Sequence, residues 1–266
     1  MNYRTIILNK QDGIATITFN RPERLNAITN RLLEEFEHAL LEIRTDDEVK
    51  VIVITGAGRG FCAGEDIKES PQTDITRKVS TKRGVLAVEV QPAFPVVMRG
   101  MPKPVIAAVN GAAVGQGFAI TLCCDIRIAS ENARFGAFWV KRGIPPESGG
   151  AFNLPRIIGP AKTFELCFTG KLVDASEAKE IGLVNHVVPA DDLMDFTYEM
   201  AKTMAKGPPI AIGATKQLIY HGMETENMTT FLEREIFVIS HCFQTEDRLE
   251  GLNAFLEKRE PKFQGK

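Results

Sequence analysis

The chain of 266 residues has one tryptophan, three tyrosines and four histidines. Its five cysteines (Cys62, Cys123, Cys124, Cys167 and Cys242) are odd in number and show no C-x-x-C spacing. That pattern excludes a disulfide framework, and the scattered histidines add no ligand set, so no metal is expected. No apolar run is long enough to span a bilayer, and the opening MNYRTIILNK lacks an apolar signal core. Charge is nearly balanced, at 32 Lys+Arg against 34 Asp+Glu, so nothing calls for a nucleic-acid partner. No repeat or low-complexity tract divides the sequence. The expectation is a cytoplasmic protein of a reducing compartment, with no membrane partner.

What is present is a strong alternation of element types. TIILNKQDGIATITFN places two β-branched runs around Asp12-Gly13, a hairpin signal. ITNRLLEEFEHALLEIRTD spaces Leu32, Leu33, Phe36, Leu40 and Ile43 on one helical face, with His38 at its polar edge. VKVIVITG, PVIAAVNG and DIRIAS are apolar runs of the kind found in strands covered on both faces. Residues 70–85 are polar and aperiodic and are expected to lead, as a mobile segment, into a helix over Val85–Val97. Asp174-Ala-Ser-Glu177 is a capping box opening a helix that stops at Gly182, and LVNHVVP, with His186 as a core or edge residue, is a further short strand. Strand, glycine turn and helix recur in order, which implies parallel strands with crossover helices. From Asp191 onward the pattern is helical in three or four pieces, so the expected division is residues 1–190 and 191–266.

Three stretches carry candidate chemistry. ITGAGRGFCAGEDIKE is glycine-rich after a strand, but its spacing does not fit the dinucleotide G-x-G-x-x-G. It reads instead as a strand running into a loop whose backbone N–H groups near Gly64 and Glu65 are available. NGAAVGQGFAITLCC opens a helix whose first N–H groups have no intrahelical partner, and two such donors facing one cavity would hold an oxyanion. In GIPPESGGAFNLP, prolines and glycines enclose the single carboxylate of Glu147. By itself that carboxylate is either a solvated acid at a helix start or a base on a rigid turn.

FCAGEDIKE, PVIAAVNGAAVGQGFAITLCCDIRIASENARFG, FTGKLVDASEAKEIGLVNHVVP and the terminal EDRLEGLNAFLEKREPKF together resemble the crotonase, or enoyl-CoA hydratase/isomerase, superfamily; RPERLNAI fits as well. The likeness runs in matching order from about residue 4 to residue 264. It implies an α/β fold with a ββα spiral core (1–190) that binds acyl-CoA, and a C-terminal helical trimerisation region (191–266). It further implies a homo-oligomer, either a trimer or a dimer of trimers, and an acyl-CoA thioester as substrate. CoA belongs to the substrate, so no separate cofactor is expected. By motif position the thioester oxygen would be held by the backbone N–H groups of Glu65 and Gln116. Ala63, Asp66, Ile67 and Lys68 would line the adenine pocket, with Arg24, Phe263 and Lys266 near the CoA phosphates.

The departures from the family are as informative. Hydration needs one group to activate water and another to manage the proton at Cα. The two glutamates that do this in family hydratases correspond here to Ala119 and Trp139, neither of which can move a proton. Isomerases of the family instead carry an acid at the loop position of Glu147. With Phe138, Trp139 would line the acyl pocket as a flat apolar wall, or it is simply a core residue. The function expected is isomerisation of a β,γ-unsaturated acyl-CoA with Glu147 as base. The alternatives are hydration, another enolate reaction such as ring isomerisation or hydrolysis, and a catalytically silent acyl-CoA-binding relative.

Overall fold

The computed structural model describes residues 1–69 and 94–266, together with the paired two-residue strands Val79–Ser80 (β5) and Ala87–Val88 (β6). The hairpin forms as its sequence demands: β1 (Ile6–Gln11) pairs antiparallel with β2 (Ile14–Phe19). Asp12 and Gly13 turn between them at φ 52° and 77°. Helix α1 (Asn30–Arg44) starts at Thr29, whose side chain accepts from the Leu32 N–H, and it buries Leu32, Phe36, Leu40 and Ile43. His38 lies exposed on the polar side, in contact with the Tyr3 hydroxyl.

The next elements explain the architecture. Strands β3 (Val51–Gly56), β7 (Val105–Val109) and β9 (Ile126–Ser130) are each followed by a three-residue strand: β4 (Gly60–Cys62), β8 (Ala112–Val114) and β10 (Arg134–Gly136). The longer strands join the six-stranded sheet β1-β2-β3-β7-β9-β12, and the shorter ones the four-stranded sheet β11-β10-β8-β4. Strand β11 is Leu172–Asp174 and β12 is His186–Val188. Each turn of the chain thus gives one strand to each sheet, which is a ββα spiral. The second sheet escaped the sequence reading almost entirely, because three residues are too few to show a period of two.

Strand β3 shows why the apolar runs are continuous. Ile52 and Ile54 enter the large core between the sheets and α1, whereas Val51 and Val53 face a second core against Leu193 and Ala201 of α7 (Leu193–Ala205). Helix α3 (Gln116–Cys123) is buried along almost its whole length. Its C-terminal end is tied down by the buried Arg127, which donates to the carbonyls of Thr121 (3.2 Å), Cys124 (2.7 Å) and Leu183 (2.8 Å). A cation there also complements the helix dipole. Beyond α5 (Pro160–Thr169), half of the capping box is present: the Asp174 side chain accepts from Glu177 N–H at the start of α6 (Ala175–Glu180), while the Glu177 carboxylate pairs with Lys171 at 2.7 Å.

The expected helix over Val85–Val97 is corrected. Ala87 and Val88 lie in β6, and the helix α2 runs only from Phe94 to Arg99. Residues 85, 86 and 89–93 of that expected helix lie outside the described residues. The remainder of the segment called mobile lies outside the described residues. The chain ends in four helices, α7, α8 (Pro209–Gly222), α9 (Met228–Phe243) and α10 (Glu246–Glu257). Buried Lys216 of α8 joins them to the core, donating to the carbonyls of Met98 and Lys103 and pairing with Asp125 at 2.9 Å. Among the described residues, no helix is long and apolar enough to cross a membrane.

Arg127→Met should remove the guanidinium from the carbonyls of Leu183, Cys124 and Thr121, of which Thr121 keeps the Cys124 N–H, while keeping the volume filled. Relief from burying a guanidinium offsets part of the loss, so a destabilisation of about 2–4 kcal/mol is expected, read from the urea midpoint.

Candidate active site

The site is built where β4 and α3 meet. Gly117 lies so close to β4 that a Cβ there would stand 2.2 Å from the Cys62 carbonyl oxygen. No larger residue fits, and the contact sets the start of α3 beside the 63–68 loop. Gln116 opens that helix, so its N–H has no intrahelical acceptor. The loop itself is held by Ile28, which donates to the Gly64 carbonyl (2.7 Å) and accepts from Asp66 N–H (2.8 Å). Glu65 and Gln116 are thereby brought to one place from sequence positions 51 residues apart (116 − 65).

Asp66 shapes the loop. It is buried, pairs with Arg21 at 3.0 Å and accepts from the N–H groups of Lys68 and Glu69. Burial alone would raise its carboxyl, but these partners hold it below the usual range. Ile67 and Lys68 project outward, with Ile67 64% exposed, which leaves an apolar face open to a flat ring. Arg24 adjoins this loop through Leu25, whose carbonyl accepts from Ala63 N–H. Phe263 and Lys266 are placed elsewhere within this chain. The tail folds back on α10, where Phe263 faces Gly251 and the Lys266 carbonyl accepts from Asp247 N–H. No hydrogen bond or ring contact among the described residues joins them to the 63–68 loop.

Glu147 sits on a turn between a short 3-10 helix (Val140–Arg142) and α4 (Gly150–Ile158). Its carbonyl accepts from Gly150 N–H at 2.8 Å, and Ser148 and Gly149 follow with φ 52° and 79°. The carboxylate is not a cap, because Gly149 is the N-cap of α4 and no side chain bonds there. It is half-buried instead. Burial pushes its pKa up, the Glu65 charge adds to the rise, and Arg142 and the Trp139 indole oppose it. Glu65 meanwhile forms an ion pair with Arg142 at 2.7 Å. Gln116 reaches the same turn, its amide 3.5 Å from the Ser148 hydroxyl.

Ala119 is buried inside α3 and belongs to the core. Trp139 is buried as well, 1% exposed and stacked on Phe118, so it is a core residue with one edge toward Glu147. Phe138 is half-buried, with Lys141 over its ring. Two site residues had no sequence signal of their own. Arg21 becomes important only because the chain returns to it at Asp66, and Arg142 only because Glu65 lies across from it.

A ββα spiral of mainly parallel strands is the crotonase fold. The enoyl-CoA hydratase/isomerase family profile matches residues 9–266, and the chain belongs to that family. It is 40% identical to the short-chain-enoyl-CoA hydratase of Clostridium acetobutylicum, over 97% of each chain. It is 36% identical to the 1,2-epoxyphenylacetyl-CoA isomerase of Escherichia coli, over 98% of each. The crystal structure of enoyl-CoA hydratase from Bacillus anthracis superposes with a TM-score of 0.90 at 36% identity, covering 99% of this chain and 100% of that one. The family places acyl-CoA thioesters as the substrates. Most of the named relatives are hydratases and some are isomerases.

Glu65→Gln removes a negative neighbour of Glu147 and releases Arg142, and both changes favour the Glu147 anion. A rate that depends on that anion should therefore have its acid limb moved to lower pH, as a kcat/KM profile would show.

Proposed function

We propose that the protein isomerises a β,γ-unsaturated acyl-CoA to the α,β-enoyl-CoA, with Glu147 as the base. The observation that carries this reading is the half-buried, uncapped Glu147 carboxylate, in a site where Ala119 and Trp139 occupy the hydratase glutamate positions. The thioester acidifies Cα–H, and Glu147 takes that proton. The charge moves to the thioester oxygen, which lies between the backbone N–H groups of Glu65 and Gln116. The same carboxyl then returns the proton at Cγ, so the double bond moves from β,γ to α,β and nothing else is consumed. Ala63, Ile67 and Lys68 receive the adenine end, with Arg24 toward the phosphates. A raised carboxyl pKa suits this work, since it brings base strength closer to working pH.

Hydration is the second reading, and one observation favours it. Glu65 supplies a second carboxylate near Glu147, and the pair is unequal: Glu65 is held by Arg142 while Glu147 is raised by burial and by Glu65. Two carboxylates in unlike environments are the usual basis for an acid and a base.

Glu147→Gln should lower isomerase turnover by about 10²–10⁴-fold with acyl-CoA affinity nearly unchanged. Mass spectrometry of products from 2-enoyl- and 3-enoyl-CoA separates the readings. Deuterium uptake without added mass of water supports isomerisation, and accumulation of a 3-hydroxyacyl-CoA overturns it. Assembly as a trimer or dimer of trimers is part of the same proposal. Ile236, Phe237 and Phe243 of α9 and Leu249, Phe255 and Leu256 of α10 are all exposed, an apolar surface suited to a neighbouring copy. Light scattering at micromolar concentration should report a trimer or hexamer, and a monomer would contradict it.

A further inference from the structure

Trp139 is the largest fully buried side chain among the described residues. One face of its indole stacks on Phe118 at 6.0 Å and 28°. Its far edge lies against the Glu147 turn, where a Cβ at position 150 would stand 2.9 Å from Trp139 Cη2 and 3.3 Å from Pro146 Cβ. Gly150, whose N–H closes the turn on the Glu147 carbonyl, is thus packed against this ring. A buried tryptophan normally finds an acceptor for its N–H. Here Nε1 is buried with no acceptor in hydrogen-bond geometry, yet it lies close enough to the Glu147 carboxylate to favour the anion. The indole N–H is thus a buried donor left without an acceptor beside the Glu147 turn, and catalytic hydrogen bonds are often completed only once substrate is bound.

We propose that Trp139 is a positioning residue for Glu147: its Nε1–H bonds one carboxylate oxygen when substrate is bound and aims the other at Cα. The proposal rests on Glu147 being the base. An indole N–H donates only and does not titrate, so it can direct the carboxylate without competing for the proton. A glutamate at this position would do the reverse. The other charges facing Glu147 are the Glu65 anion, which disfavours its ionised form, and Arg142, which favours it. Neither fixes its direction, because they pair with one another.

The test replaces the N–H and keeps the ring. Trp139→Phe, and replacement of Trp139 by benzothienylalanine, in which sulfur stands for N–H at nearly constant shape, should each lower kcat roughly 10–100-fold, the worth of a hydrogen bond to a charged group. KM should stay within about twofold, since substrate affinity does not use this bond. The acid limb of the kcat profile should move to higher pH, because losing a donor to the anion favours the protonated carboxyl. The Glu147 carboxyl band, assigned by its loss in Glu147→Gln, should move the same way in difference-infrared titration with an acyl-CoA bound. An unchanged Glu147 titration in a folded benzothienylalanine protein overturns the positioning role. Full activity of Glu147→Gln with a shifted titration would instead overturn Glu147 as base and leave the contact standing.

Discussion

The site depends first on the close approach of two backbones, at Cys62 of β4 and Gly117 of α3. A single methyl group at 117 would have to enter the Cys62 carbonyl. Because no side chain intervenes, the 63–68 loop and the first turn of α3 keep a fixed separation, and a helix start with an unbonded N–H faces a loop from another turn of the spiral. Close packing makes this stiff: interiors at this density transmit a displacement instead of absorbing it. Arg127 at the other end of α3 and Ile28 behind the 63–68 loop complete the frame. The positions of Glu65 and Gln116 are therefore properties of the sheets, not of their own side chains.

Glu147 is placed by a different means. Its turn is not part of either sheet and relies on prolines before it, left-handed Ser148 and Gly149 after it, and the Trp139 ring beneath it. Left-handed backbone at a serine is uncommon and mildly unfavourable, and here it is imposed where the carboxylate must be presented. The neighbouring charges then share the work. The Glu65–Arg142 pair at 2.7 Å is partly exposed, so it contributes little to stability. Its members act on Glu147 in opposite senses, Glu65 adding to the rise that burial causes and Arg142 opposing it.

Much of the scaffold was legible in the sequence, for physical reasons that differ by element. The long strands were visible because Val51–Gly56 and Val105–Val109 bury both faces and so read as unbroken apolar runs. Helix α1 and the Asp174 cap follow local rules of period and capping, which the sequence states directly. The second sheet was not legible, since β4, β8 and β10 have three residues each and exist only through pairing with one another. The Val85–Val97 helix is met only in part, since Ala87 and Val88 pair as strand with Val79 and Ser80, a partnership that local sequence does not reveal. At the site, Glu147 stood out by its enclosing prolines and glycines, whereas Arg142 and Arg21 have meaning only across the fold. Phe263 and Lys266 fit the family's terminal motif, yet within one chain their tail is held on α10 by the Asp247 carboxylate, which accepts from the N–H groups of Gln264 and Gly265.

The balance between hydration and isomerisation comes down to how many protons the site must handle at once. Adding water requires a base for the water and a proton for Cα, and the two groups must hold opposite protonation states together. A double-bond shift needs one carboxyl that first accepts and later donates. Glu147, raised by burial and by the nearby Glu65 charge, is suited to both halves of the shift. One oxygen of Glu65 is tied up by the Arg142 guanidinium at 2.7 Å. For Glu65 to serve in hydration, Arg142 would first have to release it. With alanine at 119 and tryptophan at 139, Glu147 is the carboxylate to which the proposed single-carboxylate shift assigns both proton steps.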